Sequence, residues 1–486
     1  MRIALALSLL LPCVSAASAQ AVPEPPAAPE PTGPEIALPD VELEVPEFLR
    51  PAPGGMTADD AARIAVDTAP QARAARVDER LAGNRVDQAL ASFIPRVDFA
   101  GSYTRLSAIT LPPLFDLEEL DPAIAALFEG FDTSFPVFLD LFAVTASVSI
   151  PVSDYFLVNL PAYDGALGFQ ESARAQREVQ EELVAFRARE AYYNYIRARA
   201  GLWVGQEAVE SLDATLQDVA SLVRAGVSTR ADYAQLRGAT AQARAAVTRA
   251  EGGVRLAARN LRQLLHEEGD GSIAIGEDLF AVALLPPPDE GELVDAALDD
   301  RAEVRAIRGA LRAREGLIRS RIGGTLPRIV VTGQLETSSP NQRFIPQTTD
   351  INTTWAIVAA LSWSPNDLGM GVLGIQEAEA QRDRLEEDLA ALEDGIRLEG
   401  SQAVSAYATA RDSIAALREQ LVAAQVALDD RRALLNAGRA TSTELVQSQL
   451  DFTRAQLALI NAYVDLHLAR AQIARVRGRA LPEASE

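Results

Sequence analysis

The feature that most constrains this chain is that its pattern occurs twice. Phe93-Ile94-Pro95-Arg96-Val97 returns as Thr325-Leu326-Pro327-Arg328-Ile329, at an offset of 232. Ala143-Val144-Thr145-Ala146-Ser147-Val148-Ser149 returns as Ala356-Ile357-Val358-Ala359-Ala360-Leu361-Ser362, at an offset of 213. Ala225-Gly226 with Asp232 returns as Ala437-Gly438 with Glu444, at an offset of 212. The first two offsets differ by 19, so the first copy carries the longer insertion between those blocks. A unit of about 200 residues is far longer than a solenoid repeat of roughly 20–50 residues. A single duplication fits better, with one copy over 56–269, a connection over 270–288, the second copy over 289–478 and a tail over 479–486.

Each copy reads as a helix (57–93, then 289–322), two strand-like segments, a very long helix (165–223, then 374–435), a Gly turn and a return helix (229–266, then 441–477). Thr57 is placed to cap the first helix. The arms show a period of seven. On the second copy's outward arm the large residues are Tyr407, Ile414, Leu421, Leu428 and Leu435; on its return they are Leu445, Phe452, Leu459, Leu466 and Ile473. Three residues after these return positions stand Ser448, Ala455, Ala462, Ala469 and Val476. The first copy has Leu202, Val209, Leu216 and Val223, then Tyr233, Thr240, Val247, Val254 and Leu261. A seven-residue period keeps one seam facing its partner if the helices supercoil, so these are antiparallel coiled-coil hairpins. At about 1.5 Å per residue, the long arm would reach roughly 90 Å. Two shorter helices in series could flank it.

The strand-like segments alternate with period two. Val97, Phe99, Gly101 and Tyr103 oppose Asp98, Ala100, Ser102 and Thr104; Val144, Ala146, Val148 and Ile150 oppose Ala143, Thr145, Ser147 and Ser149. Segment 328–336 sets Ile329, Val331, Gly333 and Leu335 against Arg328, Val330, Thr332, Gln334 and Glu336. Segment 355–363 carries Trp355, Ile357, Ala359, Leu361 and Trp363 on one face. Aromatic ends and polar alternates suit a barrel with lipid outside and water inside, with Phe99, Tyr103, Trp355 and Trp363 at the lipid interface. A soluble sheet covered on one face is the alternative. Four strands cannot enclose a channel, so several chains would have to contribute.

Composition narrows function. Every one of the 45 basic residues is Arg, and the formal charge is −23, which argues against a nucleic-acid partner. The single Cys13 rules out a disulfide framework or a Cys zinc site, and His266 and His467 are the only histidines. No catalytic constellation stands out, and no metal or cofactor is expected. Arg2, the apolar run Ile3–Val14 and the Ala17-Ser18-Ala19-Gln20-Ala21 stretch make a secretory signal peptide over 1–21. Pro12 before Cys13 argues against lipidation. Residues 22–55 are Pro-rich and acidic, an extended tail. Residues 106–141 hold seven acids and no base, a long surface-facing loop. Gly369-Met370-Gly371-Val372-Leu373-Gly374 has dinucleotide-fingerprint spacing, but the helix after it runs too long for a βαβ unit, so the glycines are read as easing a sharp passage.

The order helix, Pro-initiated strand, strand, long helix, Gly turn, return helix resembles the TolC-like outer membrane factor family. The carrying segments are Ala61-Ala62-Arg63-Ile64-Ala65 to Pro70, Phe93-Ile94-Pro95-Arg96-Val97, Leu361-Ser362-Trp363-Ser364-Pro365 and the Gly226 and Gly438 turns. The resemblance covers about residues 56–478. It implies a mainly α fold with a β part: duplicated coiled-coil hairpins forming a periplasmic helical barrel, and four strands per chain in a homotrimeric 12-stranded outer-membrane barrel. It also implies a periplasmic adaptor (membrane fusion) protein and an inner-membrane transporter as partners, outer-membrane lipid around the strands, and a passive efflux or type I secretion duct. Adaptor contact falls on Arg224, Ala225, Gly226, Val227 and Ser228, and on Asn436, Ala437, Gly438, Arg439 and Ala440. Acidic rings at the periplasmic entrance fall on Asp429 and Asp430, with Asp213 and Asp218 as looser matches, though each could equally sit on a solvated helix face. Carboxylates repeated around a narrow pore would favour cations. Small-molecule efflux is the leading expectation, with polypeptide secretion close behind. A structural tether between envelope layers is the alternative, but it has no need of strands at matching places in both copies.

Overall fold

The computed structural model describes residues 49–109, 137–269 and 273–478. The expected signal peptide with Cys13, most of the acidic tail, the body of the 106–141 loop and the tail 479–486 lie outside the described residues.

In the first copy, α1 (Ala58–Thr68) and α2 (Pro70–Ala91) lead to β1 (Arg96–Arg105) and β2 (Asp140–Ile150). Then come α3 (Leu160–Arg224) and α4 (Arg230–Leu265). The second copy repeats the order with α5 (Glu290–Asp300), α6 (Ala302–Gly324), β3 (Arg328–Ser339), β4 (Asn352–Ser362), α7 (Leu368–Asn436) and α8 (Ser442–Val476). A π-helical turn, Tyr155–Asn159, feeds α3. Among the described residues no helix is long and apolar enough to cross a membrane.

The single helices expected over 57–93 and 289–322 are each broken in two. Ala69 turns extended (φ −65°, ψ 131°) because Pro70 disfavours a helical residue before it. Arg301, at the same 232-residue offset, adopts the same conformation (φ −62°, ψ 135°) with no proline behind it. Its guanidinium instead turns inward to Glu303 (2.9 Å) and Glu399 (2.7 Å). Thr57 does cap α1: its Oγ1 accepts from Asp60 N at 3.0 Å, and the Asp60 carboxylate accepts from Thr57 N at 3.2 Å.

The 65 residues of α3 span about 98 Å at 1.5 Å per residue. Near the strands the lateral order is α2, α3, α6, α7; near the turns it is α4, α3, α8, α7. Short helices in series therefore flank both long ones. The α3–α6 contact depends on missing side chains. A Cβ on Gly168 would lie 2.6 Å from Ala313 N, and one on Gly309 would lie 2.6 Å from Ser172 N.

The second hairpin's seam is the expected one, with Tyr407, Ile414, Leu421, Leu428, Leu435, Leu445, Phe452, Leu459 and Leu466 all buried. In the first hairpin the emphasis shifts. Leu202, Val209, Leu216 and Val223 are half-buried, while Val204, Ala208, Leu212 and Val219 are buried. The cause is that α3 packs on both α4 and α8, so its best-buried line faces the gap between them.

The connection over 270–288 is more than a linker. Ile275 pairs in parallel with Met56, and Ile275 and Leu279 are buried. The last residues of the expected tail pack against it: Leu49 is buried, and Ala52 N donates to Ile275 O at 2.9 Å. His467 ties this strap down. Only its Nε2 can donate to Leu279 O (3.0 Å), which leaves Nδ1 to accept from Tyr193 O–H (3.2 Å). Burial holds its pKa below the usual imidazole range, so it is a neutral structural residue. His266 ends α4 in the left-handed region, φ 54°.

Glu182 on α3 is buried beside Glu303, and burial first, then that charge, pushes its carboxyl up to about 7. The unfolded carboxyl ionises near 4.5. Between those values the folded state binds more protons, so stability falls as pH rises through that window. Glu182→Gln should therefore change little at pH 4 and stabilise by on the order of 2–3 kcal/mol at pH 8. Chemical denaturation at both pH values measures this, and an equal effect at both would refute the assignment.

Candidate functional site: the strand face and the hairpin turns

The four strands form one antiparallel sheet in the order β1-β2-β3-β4. The register sorts the two faces. Val97↔Val148↔Gly333↔Ile357 and Phe99↔Ala146↔Leu335↔Trp355 run across one face. The intervening rows, such as Asp98↔Ser147↔Gln334↔Ala356 and Ala100↔Thr145↔Glu336↔Thr354, occupy the other. The apolar face is uncovered: Phe99 is 79% exposed, Trp355 69% and Ile357 70%. Water would not tolerate so large an apolar patch, whereas lipid matches it. Tyr103 lies on this face too, its O–H donating to Asp140 Oδ1 at 2.8 Å. Trp363 falls just beyond the end of β4, its indole N–H donating to Thr325 O at 3.2 Å.

At its lower edge the sheet is fastened to the helices. Arg328 Nε donates to Asp154 Oδ2 at 2.7 Å, and Ile329 N donates to Ser153 Oγ at 2.9 Å. Gly371 lies in the first turns of α7, where a Cβ would meet Thr325 Cγ2 at 2.7 Å. That glycine therefore allows a close approach of the Thr325 side chain to the helix, and no βαβ unit surrounds it.

At the far end the two turns share one design. Gly226 (φ 76°) and Gly438 (φ 70°) supply the left-handed residue that ends α3 and α7. Val227 N donates to Leu222 O at 3.0 Å, and Arg439 N to Leu434 O at 2.8 Å, satisfying the last carbonyls. Thr229 and Thr441 cap the next helices in reciprocal boxes with Asp232 and Glu444. The bonds from Thr229 hold the Asp232 carboxyl below its usual range. The turns lie side by side: a Cβ on Gly438 would sit 3.3 Å from Val227 Cγ1. Ser442 Oγ donates across to Asp232 Oδ1 at 3.1 Å. Arg224 folds back onto its own helix, Nη2 donating to Ser221 Oγ at 2.9 Å, and Val227 is 59% exposed. Ala225, Ser228, Asn436, Ala437 and Ala440 complete this end.

The four candidate entrance acids differ. Both Asp213 oxygens accept from Arg244 at 2.8 Å, so that carboxylate is engaged within its own hairpin. Asp429 accepts from Gln425 at 2.9 Å on its own helix. Asp218 and Asp430 are exposed. A further tie between the hairpins, besides Ser442 to Asp232, uses residues that sequence reasoning missed. Arg432 on α7 donates to Ser211 Oγ on α3 at 2.8 Å, and Ser211 donates to Gln449 Oε1 on α8 at 2.6 Å. Nothing local marks a Ser, an Arg and a Gln on three helices as partners. No cluster of candidate metal ligands occurs among the described residues.

Comparison with known proteins follows the same lines. A family model described as outer membrane efflux protein matches residues 62–266 and 293–479. The outer membrane efflux protein BepC of Brucella suis biovar 1 (strain 1330) is 22% identical over 343 residues, covering 70% of this chain and 73% of BepC. The open-state Neisseria gonorrhoeae MtrE outer membrane channel superposes with a TM-score of 0.70 at 16% identity, covering 88% of this chain and 90% of that one. The Campylobacter jejuni CmeC outer membrane channel gives 0.71 at 13% identity, covering 93% and 96%. At these identities the likeness to the solved structures is one of fold.

Proposed function

The chain belongs to the outer membrane efflux protein family, and on that premise we propose that it is a passive exit duct assembled from three copies. The observation that carries this reading is the sheet: four strands with two open edges, apolar on one face and polar on the other. Three such sheets joined edge to edge would close a 12-stranded barrel with lipid outside and water inside. The four-helix cross-sections would continue it as a tunnel into the periplasm. A tether between envelope layers has no use for such a sheet.

The turns 224–228 and 436–440 are the surface we assign to a periplasmic adaptor, with an inner-membrane transporter beneath. The exposed Val227 beside Gly438 supplies an apolar foothold there. Asp429 and Asp430 are the preferred entrance acids: Asp430 is exposed and Asp429 meets Arg432 only at 3.9 Å, whereas Asp213 is gripped by Arg244 at 2.8 Å. The cargo is best read as small molecules, preferably cationic, with polypeptides second.

Planar-bilayer recordings of the detergent-purified protein test this. A cation-selective conductance from a trimer is expected, with Asp429→Asn/Asp430→Asn abolishing most of the selectivity. Arg432→Ala removes one charged hydrogen bond per chain, about 1.5–3 kcal/mol, and should shift opening about tenfold or more. A soluble monomer without conductance would overturn the duct reading; unchanged selectivity in the double variant would overturn only the acid assignment.

A further inference from the structure

Where α4 ends against α3, the surface forms a half-open cavity of about 530 Å³. Its walls carry four guanidinium groups, Arg199 from α3 and Arg255, Arg259 and Arg262 from α4, together with Tyr195. Glu267 is the one carboxylate among the lining residues. This is an unusual concentration of positive charge in a chain of net charge −23.

Arg255, Arg259 and Arg262 are spaced i, i+4, i+7, which puts them on one face of α4. Like charges at that spacing destabilise a helix unless an anion sits among them. No ion pair engages these three among the described residues. Arg199 is held in place: Nη1 donates to Ile273 O at 3.3 Å, and its guanidinium lies over the Tyr195 ring at 5.8 Å. One wall is therefore set before a ligand arrives, and facing it Arg255 and Arg259 are exposed and Arg262 half-buried, within reach of an anion. Pre-ordering of this kind lowers the cost of binding, and the guanidinium fork matches planar oxyanions bidentately.

We propose that this cavity binds a multiply charged oxyanion, bearing phosphate or carboxylate groups, between Arg199 and the arginine row of α4. The site lies beside the strap at Ile273, far from both the strand face and the turns, so it needs neither for binding. Arg237, on the same helix but outside the cavity, serves as the control.

Calorimetric titration of the detergent-solubilised full chain with inorganic pyrophosphate and with citrate tests the proposal. Saturable binding of either probe, weakening as ionic strength rises, is expected. Stronger binding of pyrophosphate assigns the site to phosphate, and stronger binding of citrate assigns it to carboxylate. Arg255→Gln/Arg259→Gln should weaken binding by about tenfold or more, since two charged forks are lost. Arg255→Lys/Arg259→Lys should fall between, keeping charge without the fork. Arg237→Gln should bind as the parent does. No binding of either probe at millimolar concentration, or equal affinity in the Gln double variant when it elutes and melts like the parent, overturns the proposal.

Discussion

Ile357→Arg should keep the protein out of the membrane, while Ala356→Arg, one residue away, should let it insert. Ile357 is at the middle of β4, opposite Gly333, on the uncovered apolar face. A charge at the lipid-facing midplane of a barrel costs about 2–4 kcal/mol per chain, and a trimer bears it three times. Ala356 pairs with Gln334 on the polar face. An arginine there would stand in the water-filled interior, lower the conductance and weaken any preference for cations. Membrane fractionation reads the first effect and bilayer recording the second. Normal insertion of the Ile357 variant would reverse the assignment of the two faces.

The second large effect is expected at Arg301. This side chain is 3% exposed and bridges Glu303 and Glu399, and Glu399 also accepts from Gln472 at 2.8 Å. Burial is the largest influence on the Glu303 carboxyl and raises it, but the hydrogen bond and charge of Arg301, helped by a backbone hydrogen bond and Arg475, together outweigh it and hold the group below its usual range. Arg301→Met would take the bridging cation from two partly buried carboxylates and leave only Arg475, 3.9 Å from Glu399, a loss of about 3 kcal/mol. In the parent protein, Glu303 contributes stability above its unfolded pKa, and that contribution is lost as pH falls through the lowered folded value. In the variant the buried carboxylates resist ionising, so the deficit should be largest near pH 8 and shrink on acidification. Denaturation across pH 4–8 measures it. A deficit below about 1 kcal/mol, or one independent of pH, would show that the bridge is incidental to the helix break.

Much of the fold could be read residue by residue. The seam Tyr407 to Leu466, the two faces of each strand, the Gly226 and Gly438 turns and the Thr57 cap all follow from local periodicity or turn chemistry. The break at Ala69 was legible too, because Pro70 forces it, although the helical pattern on either side hides it. The break at Arg301 had no local mark, and neither did the docking of residues 49–56 on the 273–285 strap nor the role of His467 in fastening it. Among the candidate acids, spacing alone could not separate Asp213, which Arg244 neutralises, from the exposed Asp430.

The sequence by itself determined the duplication, which is written as matching segments at offsets of 212 to 232 residues, and the hairpin design and the alternation that makes one sheet face apolar, because those two patterns have periods of seven and two and depend only on near neighbours. Only the tertiary structure decided which helices lie side by side, and so why α3 buries Val204 and Leu212 instead of Leu202 and Val209. It also decided that Arg301 kinks its helix toward Glu399, that Ser211 ties Arg432 to Gln449, and that four arginines meet at the end of α4. Each of these joins residues on separate elements, where position is set by packing over tens of ångströms and the pattern along the chain carries no record of it.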